Sequence, residues 1–257
     1  MEEGPGAPCY LIKFYAMPVH KICLLAVVTF LAGKNAAQDT TGISAELTLK
    51  NVVTRKHTYH LMVLRDSSQR MVSVTRFIPG IVLELRYAGS DNFVHRPMYP
   101  RGTRETYLRL FAARDLLHAE EELNRRGLGL MVFDAYRPYR VTRKFWEMIH
   151  DERYVANPKT GSGHNRGIAV DCTLIDLQTG RPLEMGTDFD NFTDSAHESF
   201  AGLPGAVIAR RRLLREIMEK SGFVQLETEW WHYSLPHPEK YAVLDLDIAR
   251  GREYFGE

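Results

Sequence analysis

The sequence has only three cysteines, and two of them, Cys9 and Cys23, lie close to its start. If the first residues are removed as a leader, Cys172 alone remains, and a single cysteine forms no internal disulfide. No excess of one charge is present either, because the sequence contains 33 Lys and Arg and 32 Asp and Glu, and no basic run is longer than three residues. This balance argues against a nucleic-acid partner and favours small or neutral partners.

A long apolar run is missing as well. Residues 22–33, ICLLAVVTFLAG, are uncharged and follow Lys21, but a bilayer span needs roughly 18 or more apolar residues. A short run with a basic flank is typical of a secretory signal peptide, and residues 35–37 (NAA) offer a cleavage site. We therefore expect residues 1–37 to be a signal peptide, the mature protein to be periplasmic or secreted, and no stable membrane insertion after cleavage. A buried N-terminal helix or an uncleaved anchor is the alternative.

The remaining sequence contains no repeat and no low-complexity tract. Residues 38–75 are polar and predict an irregular or edge-strand lead-in. Hydrophobic periodicity then predicts strands at 81–87, 128–134, 167–174 and 224–233, and helices at 106–126, 141–149 and 205–220. These elements interleave without a regular βαβ order, which indicates an α+β fold with helices packed on a sheet. The run 210–212 (RRR) is interpreted as a solvent-exposed face of the last helix.

The strand at 167–174 has an unusual composition. One face is apolar, with Cys172 as a core thiol, and the other carries only small residues and Asp171. Small residues leave space above the strand, and a buried carboxylate costs several kcal/mol unless it faces a cation or hydrogen-bond donors. The pattern therefore predicts that Asp171 projects into the floor of a pocket.

A second cluster of ionisable residues lies at 229–232, EWWH. Glu229 and His232 are three residues apart, so both can reach one site only at a bulge or at a strand end. Together, His164, Asp171 and His232 offer two nitrogen atoms and one oxygen atom as ligands. This is the ligand set of a catalytic zinc with an open fourth position. Glu229 would then act on bound water. Taken singly, a histidine is more often structural than a ligand, and EWWH could be a core segment that contains a salt bridge.

Several segments resemble one protein family. Residues 162–171, SGHNRGIAVD, resemble the S-x-H-x-x-G-x-A-x-D signature of the zinc D-alanyl-D-alanine peptidases, and 229–232 resemble their E-x-W-H. Further segments resemble the VanX-type D-Ala-D-Ala dipeptidases in particular: 86–93, 134–138 (DAYRP), 185–190 (MGTDFD) and 195–197. The similarity covers roughly residues 78–236. It departs from the family in the N-terminal residues and at Ala135, where glycine is usual.

The resemblance implies a fold, a domain organisation and a set of residue roles. The fold would be one domain with a central, mainly antiparallel sheet flanked by helices, as in D,D-peptidase and hedgehog-like proteins. Residues 78–257 would form this domain and 38–77 an N-terminal extension. One zinc per chain would be bound by His164, Asp171 and His232. Glu229 matches the general base, Arg137 the group that stabilises the oxyanion, and Asp190, Tyr87 and Ser162 the pocket for the substrate amine.

The activity implied is hydrolysis of the D-Ala-D-Ala dipeptide by metal-activated water. One alternative is a D,D-carboxypeptidase that trims peptidoglycan stem peptides. A second is a non-catalytic zinc-binding module of the same fold, although such a module would need neither Glu229 nor Arg137. The sequence makes no prediction about the oligomeric state.

Overall fold

A five-stranded sheet forms the centre of the computed structural model, which describes Met1 and residues 49–256. Residues 41–257 belong to one compact unit. The predicted signal peptide falls outside the described residues. Among the residues that are described, no helix is long and apolar enough to cross a membrane.

Seven strands and seven α-helices follow one another along the described chain. In order they are α1 (Lys56–Arg65), β1 (Met71–Ser73), α2 (Val74–Phe77), β2 (Val82–Leu83), β3 (Tyr107–Arg109), α3 (Leu110–Asn124), β4 (Leu128–Asp134), α4 (Tyr139–Met148), α5 (Gly163–Arg166), β5 (Ala169–Asp176), α6 (Gly205–Lys220), β6 (Val224–Leu226), β7 (Glu229–Ser234) and α7 (Gly251–Phe255). Strands β1 and β3 form a separate antiparallel pair.

The central sheet has the strand order β2-β4-β5-β7-β6. Only the edge pair β2–β4 is parallel, and the other three pairs are antiparallel. Helix α3 packs on β4, and α6 contacts α3 and the strands β5, β6 and β7. The predicted α+β fold with a mainly antiparallel sheet flanked by helices is therefore confirmed.

Most elements lie where hydrophobic periodicity predicts them, with four main differences. The predicted helix at 106–126 begins only at Leu110, because residues 107–109 form the strand β3, which pairs with β1. The lead-in contains the helix α1 instead of an edge strand. The predicted strand at 81–87 shortens to β2, because the chain turns into a 3₁₀ helix at Arg86–Ala88. The predicted strand at 224–233 is a hairpin of β6 and β7, whose register shifts beside Leu226. A continuous apolar run does not reveal such a tight reversal.

Two buried arginines join distant segments. Arg109 is fully buried and donates to the carbonyl oxygens of Gln69, Arg166 and Ala242. The prediction of an exposed arginine run is wrong at Arg211, which is only 5% exposed. Its guanidinium finds backbone carbonyl acceptors that lie elsewhere in the sequence, so periodicity on the helix alone could not reveal its burial.

A buried carboxylate in α3 gives the stability a pH dependence. Glu120 is 1% exposed; its Oε2 accepts a hydrogen bond from the backbone N–H of Leu130 at 2.7 Å, and its Oε1 has no partner. Burial raises its pKa from 4.5 to about 7. Between these two values the folded protein holds a proton that the unfolded chain has released, so the free energy of unfolding falls as the pH rises.

Glu120→Gln should remove this contribution. Urea unfolding should show the stability of the variant relative to the wild type rising by on the order of 1–3 kcal/mol between about pH 5 and about pH 8. Glu121→Gln, an exposed substitution on the same helix, is the control and should leave the pH dependence unchanged. Parallel wild-type and Glu120→Gln curves would contradict the assignment.

Candidate active site

Three neighbouring strands bring Asp134, Asp171 and His232 side by side. Asp134 ends β4 and pairs with Asp171 of β5, which pairs with His232 of β7. The register of β4 shifts between Val132 and Asp134. Asp171 is 2% exposed and Asp134 fully buried, so two carboxylates lie together in the interior and both require positively charged or donor partners.

His164 reaches the same place from the short helix α5. Ser162 caps this helix by accepting from the backbone N–H of Asn165, whose side chain in turn accepts from the N–H of Ser162. Gly167 ends it with φ +69°, a left-handed conformation that favours glycine. An added Cβ at Gly167 would also lie 2.5 Å from Met71. The predicted strand consequently begins at Ala169 and not at Gly167.

The donor atoms of His164, Asp171 and His232 have the spacing of a metal site. His232 Nδ1 lies 2.9 Å from Asp171 Oδ1 and 3.1 Å from His164 Nε2, and His164 Nε2 lies 3.3 Å from Asp171 Oδ2. A tetrahedron with zinc bonds of about 2.0–2.1 Å has edges of about 3.3 Å. Within residues 49–256 this is the only group of three or more such side chains that could hold a metal ion.

The tautomer of His164 suits this purpose. Its Nδ1 lies 2.7 Å from the carbonyl oxygen of Ala135. Because a carbonyl oxygen only accepts, Nδ1 carries the proton and Nε2 keeps a lone pair directed towards Asp171 and His232. The alanine at 135 in place of the usual glycine does not disturb this contact, since the backbone provides it.

Asp171 is negatively charged in this environment. Burial by itself would raise its pKa, but His164 and His232, when they are protonated, lower it below its ordinary value through their charges and hydrogen bonds. Burial lowers the pKa of His232. An ionised carboxylate with two imidazole lone pairs is a suitable ligand set for a divalent cation.

Asp134 holds Arg137 in place, a role that motif reading did not assign. Its Oδ2 accepts from Arg137 Nε at 2.9 Å and from Nη2 at 2.8 Å, and Tyr99 donates to its other oxygen. The Arg137 guanidinium also lies 3.5 Å from Asp171 and over the ring of Tyr87. The i, i+3 spacing of Asp and Arg in DAYRP was the available signal. Arg137 is therefore pre-oriented, with its remaining N–H groups available beside the metal-binding donors.

Glu229 is the first residue of β7, the strand-end position that the sequence required. Its Oε2 lies 3.9 Å from His232 Nδ1, too far for a hydrogen bond, and the residue is 6% exposed. Burial, followed by the charges of Asp171 and Asp190, raises its pKa well above the usual range. A cation held beside it would oppose this shift, because a positive charge favours the ionised form.

Asp190 lies at another part of the same cavity. It has a left-handed backbone, φ +60°, and accepts from the Tyr87 hydroxyl at 2.8 Å and from the Phe93 N–H at 3.1 Å. Burial raises its pKa to about 7. The side chain has no cationic hydrogen-bond partner among the described residues, so a positively charged group on a ligand would stabilise it.

All eight predicted site residues line one cavity of about 220 Å³. They are Tyr87, Arg137, Ser162, His164, Asp171, Asp190, Glu229 and His232. The structure thus places the metal-binding donors, a buried carboxylate base candidate, a guanidinium and a second carboxylate around one small space. The particular role of each residue remains a prediction.

Comparison with known proteins agrees with this chemistry. A family model described as D-Ala-D-Ala dipeptidase, of the peptidase M15 family, matches residues 67–247. The D-alanyl-D-alanine dipeptidase of Escherichia coli (strain K12) is 34% identical over 179 residues, which are 70% of this chain and 91% of that protein. The Enterococcus faecium dipeptidase is 32% identical over 185 residues, 64% of this chain and 92% of that protein. The Streptomyces coelicolor dipeptidase is 34% identical over 206 residues, 68% and 96% of the two chains.

Solved structures with partial similarity are also found. The LdcB LD-carboxypeptidase has a TM-score of 0.38 and 18% identity, covering 73% of this chain and 77% of its own. VanYB in complex with D-alanine-D-alanine has a TM-score of 0.34 and 16% identity, covering 58% and 78%.

Proposed function

Because the chain belongs to the D-Ala-D-Ala dipeptidase family of peptidases, we propose that it is a zinc-dependent hydrolase of the free D-Ala-D-Ala dipeptide. The observation that carries this proposal is the position of Asp190, whose half-buried carboxylate shares one cavity with the His164, Asp171 and His232 donors. A free dipeptide has its ammonium group one residue from the scissile bond. A carboxylate close to the metal-binding donors can therefore recognise that charge directly.

The size of the cavity favours a dipeptide over a stem peptide. Its volume is about 220 Å³, whereas pockets for drug-sized ligands have roughly 300–1,000 Å³. A carboxypeptidase must accommodate the rest of the peptide beyond the residue that carries the scissile carbonyl. Asp190, Tyr87 and Phe93 are joined by hydrogen bonds in one wall of this cavity, and we propose that this wall closes the space that such an extension would need.

The metal proposed is zinc, bound by His164 Nε2, Asp171 and His232 Nδ1. Zinc at such a site provides a Lewis acid and a bound water with a pKa of about 7. The protein contributes the orientation of each donor: Ala135 fixes His164, and the pairing of β5 with β7 sets His232 against Asp171.

The remaining steps are assigned to two residues of this chain. Glu229 takes the proton from the attacking water and returns it to the leaving amine. Arg137, held by Asp134, donates to the carbonyl oxygen as negative charge develops on it. Since Asp134 uses Nε and one Nη2 contact of Arg137, the other guanidinium N–H groups are available for this purpose.

Metal binding can be measured without activity. Purified protein should contain about one equivalent of zinc, and His164→Ala should lose most of it, because two ligands rarely hold zinc. His118→Ala, an exposed histidine on α3, is the control and should retain the metal. Full zinc retention in His164→Ala would remove the site.

The function is tested by comparing three substrates. D-Ala-D-Ala, its N-acetyl derivative and a peptidoglycan pentapeptide are incubated with the enzyme, with and without a chelator. We expect the free dipeptide to be hydrolysed much faster than the other two substrates, in a reaction that the chelator abolishes and zinc restores. Faster cleavage of the pentapeptide would establish the carboxypeptidase alternative, and zinc binding without hydrolysis of any of the three would support the non-catalytic module.

We further propose that the protein is exported and acts in the periplasm or outside the cell, on dipeptide derived from the cell wall. The short apolar run at residues 22–33 after Lys21 supports this proposal. N-terminal sequencing of the protein from its native host should find a mature chain that begins close to residue 38. A cytoplasmic protein that begins at Met1 or Met17 would contradict it.

A further inference from the structure

The segment that carries Asp190 has few backbone connections to the rest of the protein. We define the Asp190 loop as residues 184–197. Just before the loop, the backbone N–H of Leu183 donates to the carbonyl oxygen of Leu174. Just after it, the backbone N–H of Glu198 donates to the carbonyl oxygen of Glu227. Between these points, the only backbone–backbone hydrogen bond in the described residues that leads out of the loop is at its very end, where the Phe200 N–H donates to the carbonyl oxygen of His197, so none fixes residues 184–196. The position of Asp190 therefore depends on side-chain contacts.

Arg211 of helix α6 contacts this loop at more positions than any other side chain that hydrogen-bonds to it in the described residues. Its Nε donates to the carbonyl oxygen of Met185 at 2.7 Å, and Nη1 donates to those of Ser195 at 2.9 Å and His197 at 3.4 Å. Met185 lies before Asp190 in the sequence, and Ser195 and His197 lie after it. One planar guanidinium thus connects the two ends of the loop.

The same arginine contacts the middle of the loop. Its Nη2 lies 3.5 Å from Thr187 Oγ1, which also accepts from Trp230 Nε1 at 2.8 Å, and the guanidinium lies over the Trp230 ring. Arg211 has no carboxylate among these partners, and burial lowers its pKa to about 10. The desolvation of this cation is opposed by the nearby charge of Glu198 and by the neutral acceptors of the loop, which bind the guanidinium in one defined geometry.

Core packing holds one side of the loop, where Met185, Phe189 and Ala196 are buried, but it leaves another side uncovered. Residues 182–189 line a second cavity of about 450 Å³, so part of the loop surface has no protein neighbour. Asp190 itself adopts a left-handed backbone, which is unfavourable for a residue with a Cβ and persists only where surrounding contacts enforce it. Contacts that hold both loop ends supply such a constraint.

From these contacts we propose that Arg211 is a positioning residue for amine recognition. It holds both ends of the Asp190 loop so that the carboxylate stays directed at the Tyr87 hydroxyl and the dipeptide cavity. The inference rests on the proposed function, because it assumes that Asp190 binds the substrate ammonium group. Arg211 would keep the Asp190 carboxylate in the position that this binding requires. A displacement of a recognition group by about 1 Å can cost on the order of 100-fold in rate.

Three variants test the proposal, with kcat/KM measured for D-Ala-D-Ala and for its N-acetyl derivative. Arg211→Met removes every donor and should reduce the preference for the free dipeptide by about 10- to 100-fold, mainly through KM. Arg211→Lys keeps the positive charge but not the planar set of guanidinium donors, so its preference for the free dipeptide should fall less than that of Arg211→Met. Arg212→Met, on the same helix and paired only with Glu216 at the surface, should behave as wild type.

The same substitution in a second background separates positioning from general stability. In Asp190→Ala, the further change Arg211→Met should leave the preference unaltered, since the carboxylate it positions is gone. The proposal would be overturned if Arg211→Met lowered kcat/KM equally for both substrates. It would also be overturned if the substitution reduced the preference equally in the wild type and in Asp190→Ala. An unchanged preference in Arg211→Lys and Arg211→Met would do so as well. A wild type without preference for the free dipeptide would instead contradict the proposed function.

Discussion

Replacing Glu229 by glutamine should leave zinc bound and reduce kcat/KM for D-Ala-D-Ala by about 100-fold or more, the scale of a lost general acid–base group. Glutamine has the shape of glutamate but cannot accept and return a proton. Glu229 Oε2 lies 3.9 Å from His232 Nδ1, whereas the three donor atoms lie 2.9–3.3 Å from one another. Glu229 is thus adjacent to the metal-binding donors without being one of them.

Two measurements on each protein complete this experiment, the zinc content and the steady-state kinetics. The control is Glu227→Gln, an exposed residue in the turn between β6 and β7, which should retain both zinc and activity. A Glu229→Gln enzyme with full activity would show that another group moves the proton. Loss of zinc in that variant would instead make Glu229 a ligand.

Asp190→Ala should abolish most of the discrimination between D-Ala-D-Ala and N-acetyl-D-Ala-D-Ala. In the wild type, acylation removes the ammonium charge and adds bulk at the wall formed by Asp190 and Tyr87. Losing a charge-assisted hydrogen bond and leaving a buried carboxylate unpaired costs on the order of 2–5 kcal/mol, a factor of roughly 30 to several thousand. The variant should lose this preference because the substitution lowers kcat/KM only for the free dipeptide.

The discrimination should also depend on pH. Burial raises the pKa of Asp190 to about 7, and only its ionised form attracts an ammonium group. The preference of the wild type for the free dipeptide should therefore increase as the pH rises through about 7, and Asp190→Ala should not show this increase. Both profiles are obtained from kcat/KM for the two substrates.

Asp188→Ala is the matched control for Asp190→Ala. Asp188 is exposed, lies two residues away on the same loop, and lines the second cavity instead of the dipeptide cavity. Its replacement should leave the preference unchanged. Equal rates of the wild-type enzyme on free and acetylated substrate would refute the amine-recognition role and favour a carboxypeptidase.

The elements with clear periodicity could be predicted from the sequence. Strand β4 occupies Leu128–Asp134 and helix α6 occupies Gly205–Lys220, as predicted, because burial on defined faces imposes a regular spacing of apolar residues. Elements whose shape depends on a reversal could not be predicted as well. The hairpin of β6 and β7 reads as one strand in the sequence, since the turn residues carry no glycine or proline signal.

The sequence by itself indicated the side chains that we propose carry the chemistry. An aspartate on a small-residue strand face, a histidine seven residues before it and an EWWH segment indicate a metal and a base. These signals are local, because residue type and short spacing decide them. Resemblance to a family added Arg137, Asp190, Tyr87 and Ser162, and all of them line the same cavity as the metal-binding donors.

Only the tertiary structure decided how those side chains are held. Asp134 orients Arg137, the Ala135 carbonyl selects the tautomer of His164, and Arg211 joins the ends of the Asp190 loop. The latter two contacts connect residues that are 16 to 29 positions apart, and the Tyr87–Asp190 contact spans 103. Whether such groups meet depends on how strands and helices pack. A local pattern therefore shows that Arg211 lies on a helix, but not that its buried guanidinium will find backbone carbonyls there.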